Sequence, residues 1–205
     1  SQSVFSFDRS ENVAGSDPDE FSMARIDSDP DFVRYSAAAV HRQFLDVYRA
    51  HEIRGSVRAV ASSDRLIPAK MTTFGGLYTV RGYEEDEIVA DGGILASLEY
   101  RLNVTEPRRW RAAERGAEPA EARPFNVWLL AFTDYGRPDI KDPVPGEIDT
   151  QDMWGVGVGT IIEIREEFHA AIYHGWALRE TERADGSTIT GRGDGQWNLS
   201  FIYRW

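Results

Sequence analysis

Apolar residues recur at every second position through most of this chain, and helical three- and four-residue spacing is scarce. The end of the chain is the clearest case. Trp197, Leu199, Phe201, Tyr203 and Trp205 fall on one face, while Gln196, Asn198, Ser200 and Arg204 fall on the other, with Ile202 the apolar exception. Successive side chains of a strand point to opposite faces, so this pattern commits a segment to a sheet with one apolar and one polar surface. About eight segments read as strands: residues 4–8, 32–44, 53–63, 92–104, 125–136, 154–164, 168–179 and 196–205. The expected fold is all-β and antiparallel.

An apolar strand face has two possible destinations, a protein core or lipid. In the strand over 92–104, Ile94, Ala96, Leu98, Tyr100 and Leu102 oppose Leu95, Ser97, Glu99 and Arg101. Over 154–164, Trp154, Val156, Val158 and Ile162 oppose Gly155, Gly157, Gly159 and Glu163. A row of glycines leaves space on its face for a plug or a loop. The connections are unequal. Those over 45–52 and 165–167 are short; those over 9–31, 64–91, 137–153 and 180–195 are long and rich in Asp, Glu, Gly and Pro. Long and short connections alternate, as extracellular loops and periplasmic turns do in a membrane barrel. The connection over 105–123 breaks the rule, and its basic run Arg108-Arg109-Trp110-Arg111 reads as a solvated insertion.

Composition removes several classes of function. The 205 residues carry 34 Asp and Glu against 23 Lys and Arg, a formal charge of −11, so a nucleic-acid partner is not expected. With no cysteine there is no disulfide framework, zinc–thiolate site or thiol nucleophile. The four histidines form no zinc-protease pattern, and the serines lack a nucleophile elbow. No catalytic residue, metal ligand or cofactor site is expected. Residues 1–7 read as the middle of a strand rather than as a signal peptide, so the expectation is that this chain starts inside a larger barrel.

The segment Gly75-Gly76-Leu77-Tyr78-Thr79-Val80-Arg81-Gly82-Tyr83 fits neither period. It lies in one of the long connections, which are more often functional than idle. Farther on, Phe132-Thr133-Asp134-Tyr135-Gly136 reads by itself as a turn at a strand end. Glu84-Glu85-Asp86-Glu87 and Asp91 read as a solvated acidic stem.

Taken in order, Val80-Arg81-Gly82-Tyr83 and the aromatic-x-Asp-x-Gly motif at Phe132, Asp134 and Gly136 resemble those of the haemolysin secretion/activation proteins. These are two-partner secretion transporters, related to the barrel-assembly insertases. The final aromatic, Trp205, resembles the terminal signal that barrel assembly machinery reads. The resemblance implies a transmembrane barrel of about sixteen strands, of which residues 1–205 are the C-terminal part. It implies location in the bacterial outer membrane, contact with its lipid, and secretion and activation of a haemolysin- or adhesin-like partner polypeptide without nucleotide or cofactor. It also implies that the glycine-rich loop folds into the barrel.

Parity adds a chemical link. A confined arginine keeps its proton and needs acceptors. Glu99 falls on the polar face of its strand. Asp134, which shares a face with Asn126, Trp128, Leu130 and Phe132, faces inward if Val127, Leu129, Thr133 and Tyr135 face lipid, so Arg81–Asp134 is the expected latch and Glu99 a second acceptor. Three other readings stay open at this stage: an insertase of the same superfamily, a self-contained eight-stranded barrel acting as a structural or adhesion module, and a soluble β-rich protein.

Overall fold

The computed structural model describes residues 1–10, 24–28, 31–105, 125–164 and 167–204. Eight long strands form one sheet: β1 (Gln2–Ser10), β2 (Phe32–Phe44), β3 (His51–Ser62), β6 (Gly92–Asn103), β7 (Phe125–Asp139), β8 (Met153–Ile164), β9 (Phe168–Ala177) and β12 (Gly195–Tyr203). The order is β1-β2-β3-β6-β7-β8-β9-β12, and every pairing is antiparallel. The chain therefore meanders, each long strand returning beside the previous one. Among the described residues β1 and β12 do not pair with each other, so the sheet is open and the eight strands do not close a small barrel.

The two faces are inverted relative to a soluble sandwich. On β12, Trp197, Leu199, Phe201 and Tyr203 are 63%, 58%, 68% and 62% exposed. Leu98, Leu129, Val158 and Ile172 continue this outward apolar surface across β6 to β9. The opposite face holds Glu52, Glu99 and Asp134, all buried. Buried carboxylates and bare aliphatic residues are the wrong way round for water and the right way round for lipid.

The periodicity placed the long strands correctly to within a few residues. It missed two small hairpins, because segments of two or three residues show no period. The long connection 63–91 holds a one-turn 3-10 helix (Pro68–Lys70) and the strands β4 (Thr72–Phe74) and β5 (Ile88–Ala90), which pair antiparallel. The connection after β9 holds β10 (Thr181–Glu182) paired with β11 (Thr188–Thr190). The basic run at 108–111 and Trp205 lie outside the described residues.

One small apolar core sits between the β4–β5 hairpin and the wall. Phe74, Val80, Tyr83, Ala90, Met153 and Ala177 are fully buried there, with Leu95 and Ile140 packed against them. A second cluster on the inner wall joins Leu130, Phe132, Ile161 and Ala171 to Trp128 and Tyr173.

Candidate functional site: a loop tip held against the inner wall

The loop between β4 and β5 turns at Gly75 and Gly76, both with positive φ, and carries Arg81 down to the sheet. Arg81 is 5% exposed. Its backbone N–H and its Nε donate to Asp134 Oδ2 at 3.1 and 2.7 Å, and its Nη2 donates to Asp134 Oδ1 at 2.8 Å. Nη1 donates to Glu99 Oε1 at 2.6 Å, and Nη2 also reaches Ser97 Oγ at 3.3 Å. The two side-chain bonds to Asp134 give the bidentate arrangement that suits a guanidinium and a carboxylate.

The acceptors are themselves held. Ser97 Oγ donates to Asp134 Oδ1 at 2.6 Å, and Arg101 Nε donates to Glu99 Oε2 at 2.8 Å. The Arg81 guanidinium carbon lies 3.6 Å from the Phe132 ring centroid and 5.3 Å from that of Tyr173. One guanidinium thus touches side chains from β6, β7 and β9, so the sheet wraps around it. Charge pairing, hydrogen bonding and cation–π contact all act at once on a buried guanidinium.

The backbone approach is as close as the charge contact. Gly82 has φ +104°, which L side chains rarely adopt, and a Cβ there would lie 2.8 Å from the Trp176 carbonyl carbon. On the wall, a Cβ at Gly155 would lie 1.9 Å from the Arg81 carbonyl oxygen, and one at Gly175 2.7 Å from the Gly82 nitrogen. The glycine row of β8 thus serves the loop at Gly155 only. Gly157 lies beneath Phe132 and Gly159 beside Tyr173, so the rest of the row accommodates neighbouring wall side chains. Gly136 faces Val80 and Phe74.

Tyr83 is fully buried. Its hydroxyl accepts the Trp154 backbone N–H at 2.9 Å and donates to the Arg179 carbonyl at 2.9 Å. Burial pushes its phenol pKa up.

Glu84, Glu85 and Asp86 of the acidic stem are exposed, as composition suggests, whereas Glu87 and Asp91 are held by partners distant in the chain. Asp91 is 1% exposed. It accepts from Arg25 Nη1 and Nη2 at 2.5 and 3.0 Å, and from the backbone N–H groups of Leu66 and Lys141 at 2.7 and 2.9 Å. Glu87 accepts from Thr190 Oγ1 at 2.6 Å and from Thr181 Oγ1, which ties in the β10–β11 hairpin. Arg65 binds Glu147 with two bonds of 2.8 and 3.0 Å and holds the pKa of that carboxyl down at about 2. The long connections that hold Arg25 and Glu147, and the β10–β11 hairpin, are therefore fastened to the stem of the Arg81 loop. Acidic composition conceals this, because partners far apart in sequence satisfy the charges.

The structure brings Val80, Arg81, Gly82, Tyr83, Glu99, Phe132, Asp134 and Gly136 into one site. Trp197, Leu199, Phe201 and Tyr203 lie apart from it, on the outward face of β12. Sequence reasoning missed Ser97, Tyr173, Gly175 and Arg101. Ser97 and Arg101 flank Glu99 on the same strand face, which is the signal that points to them.

A protein-family model described as haemolysin secretion/activation protein ShlB/FhaC/HecB matches residues 5–160. The chain belongs to that family, whose members are two-partner secretion proteins of the bacterial outer membrane. Among solved structures it is similar to CdiB from Escherichia coli, with 18% identity and a TM-score of 0.65. That match covers 94% of this chain and 30% of the other, so the present chain spans less than a third of its length. Comparison with curated protein sequences gives no match.

Proposed function

We propose that these strands are the C-terminal part of a larger outer-membrane barrel that secretes, and activates, a haemolysin- or adhesin-like partner polypeptide. The inward polar face forms part of the conduit, and the loop over 64–91 is folded into it and latched at its tip. The observation that carries this reading is the four-point hold on Arg81 by Asp134 and Glu99. A loop lodged inside a barrel accounts for an arginine buried against wall carboxylates while the outer wall stays apolar. The outward row on β12 together with Trp205 serves as the assembly signal, read by the barrel assembly machinery, and the outer wall meets lipid.

No nucleotide or cofactor enters this scheme. Arg81 positions the loop; it performs no chemistry.

The test is removal of the gene from its natural host. Loss of one large polypeptide from the medium, with other outer-membrane barrels at normal levels, is the expected result. A general fall in outer-membrane barrels with no specific loss from the medium overturns transport in favour of an insertase.

A further inference from the structure

The Arg81 loop tip covers the inner wall at β6 to β9 and leaves the lower inner face of β2 and β3 uncovered. On these two strands every arginine points inward. Arg34 and Arg42 lie on β2; Arg54 and Arg58 lie on β3, in register with Arg42 and Ala38. On the inward face of β2 and β3 themselves the one carboxylate is Glu52, which is 1% exposed and already bound by Arg42 at 2.7 Å; on the flanking strands Asp8 is in register with Arg34 and Glu99 with Arg54. Arg34 donates to Thr72 Oγ1 at 3.3 Å at the foot of the loop stem. Arg54 and Arg58 are exposed and have no hydrogen bond or ion pair among the described residues. The nearest wall carboxylates, Glu99 and Asp134, are taken by Arg81 and Arg101.

This is a local reversal of sign, since the chain as a whole carries a charge of −11. Between the cations stand Ala38, Val40 and Ser56, which are small and leave the wall smooth. Arg54 and Arg58 are four residues apart on one strand face, so their Cα atoms are separated by about 13 Å. An extended polypeptide has the same rise per residue. Two of its carboxylates, also four residues apart, would meet both guanidiniums while lying along the strand.

We propose that the inner face of β2 and β3 is a docking track for an acidic, extended segment of the translocating polypeptide, with Arg54 and Arg58 as its binding residues. This deepens the transport reading and rests on it for the identity of the occupant. The positive wall attracts the segment without fixing it, because solvated guanidiniums bind carboxylates weakly and exchange them readily. Such a track favours onward movement over capture.

The test uses the full-length protein in detergent at low salt, where exposed charges are little screened. A fluorescent twelve-residue oligoglutamate is titrated in and its anisotropy read, with oligoglutamine as the control. Replacing both residues, R54Q and R58Q together, is expected to weaken oligoglutamate binding about ten-fold. R54K with R58K, which keeps the charge, is expected to retain most of it. The R183Q and R192Q changes, on the long-loop side, are expected to leave it unchanged. Wild-type affinity in the double glutamine variant overturns the proposal, as does equal binding of oligoglutamine. So does loss of binding from the long-loop variants alone. Heat-modifiable migration shows that each variant is folded. The binding result stands apart from the transport reading: peptide binding with no secreted polypeptide would sink transport and leave the cationic wall intact.

Discussion

Asp134 accepts three hydrogen bonds from Arg81, one from its backbone N–H and two from its guanidinium. Glu99 accepts one. The two carboxylates are therefore unequal partners, although both lie on the inward face and both contact the same cation. Asp134 fixes the loop's main chain as well as its charge; Glu99 fixes charge alone and shares itself with Arg101.

That asymmetry orders the variants. Asp134→Ala leaves a buried arginine without its main acceptor, a loss of about 3–5 kcal/mol for a buried pair broken on one side. Glu99→Gln should cost less, because Asp134 still holds the guanidinium. The expected outcome is a large fall in the temperature of heat-modified migration for Asp134→Ala and a small one for Glu99→Gln. Equal falls would contradict the unequal roles.

Gly155→Ala should displace the loop without altering any charge. The new methyl would sit 1.9 Å from the Arg81 carbonyl oxygen, and both groups are backbone-fixed. Gly55→Ala is the matched control, since its methyl would meet only Leu98 Cδ1 at 4.0 Å. Limited proteolysis within 75–87 should be faster in Gly155→Ala and unchanged in Gly55→Ala.

The loop stem should depend on pH in a defined window. Glu147 has a folded-state pKa of about 2, below its ordinary 4.5, chiefly because Arg65 donates to it. A depressed carboxyl contributes its full stability above 4.5 and loses it as pH falls through its folded value. Backbone protection at Val144, whose N–H donates to Glu147 Oε2, should hold at pH 5 and decline toward about pH 2. Hydrogen exchange across that range measures it. Glu147→Gln should already be loosened at neutral pH.

Outward and inward positions of β12 should respond oppositely to charge. A lysine facing lipid costs about 2–4 kcal/mol at mid-membrane and less toward the interface. Leu199→Lys is expected to lower outer-membrane levels, whereas Asn198→Lys, on the inward face opposite Tyr173, is expected to be tolerated. Quantifying the folded barrel in isolated outer membranes decides it.

Much of this architecture was written in the alternation of side chains. Trp197 to Tyr203 and Ile94 to Leu102 show their faces directly, because strand parity needs no knowledge of the partner strand. Parity also put Asp134 and Glu99 on the wall that Arg81 meets. Other features depend on neighbours distant in the chain. Asp91 reads as solvent-exposed until Arg25 and Lys141 are placed around it. Gly175 reads as an ordinary strand glycine until the Gly82 nitrogen is found against it. The β4–β5 hairpin is too short for any period, and its stability comes from the apolar cluster of Phe74, Val80 and Tyr83 beneath it. Composition suggested acidic loops in water, yet the pairing of Arg65 with Glu147 and of Arg25 with Asp91 binds those loops together.

A double-mutant cycle on secretion tests the latch most directly. Arg81→Ala, Asp134→Ala and the double variant are compared with the unaltered full-length protein, each normalised to its outer-membrane level, for export of the proposed partner polypeptide. If the two residues act as one latch, the double variant is no worse than the worse single variant, because the second change removes an interaction already lost. If the two losses multiply, Arg81 and Asp134 act independently and the latch is refuted.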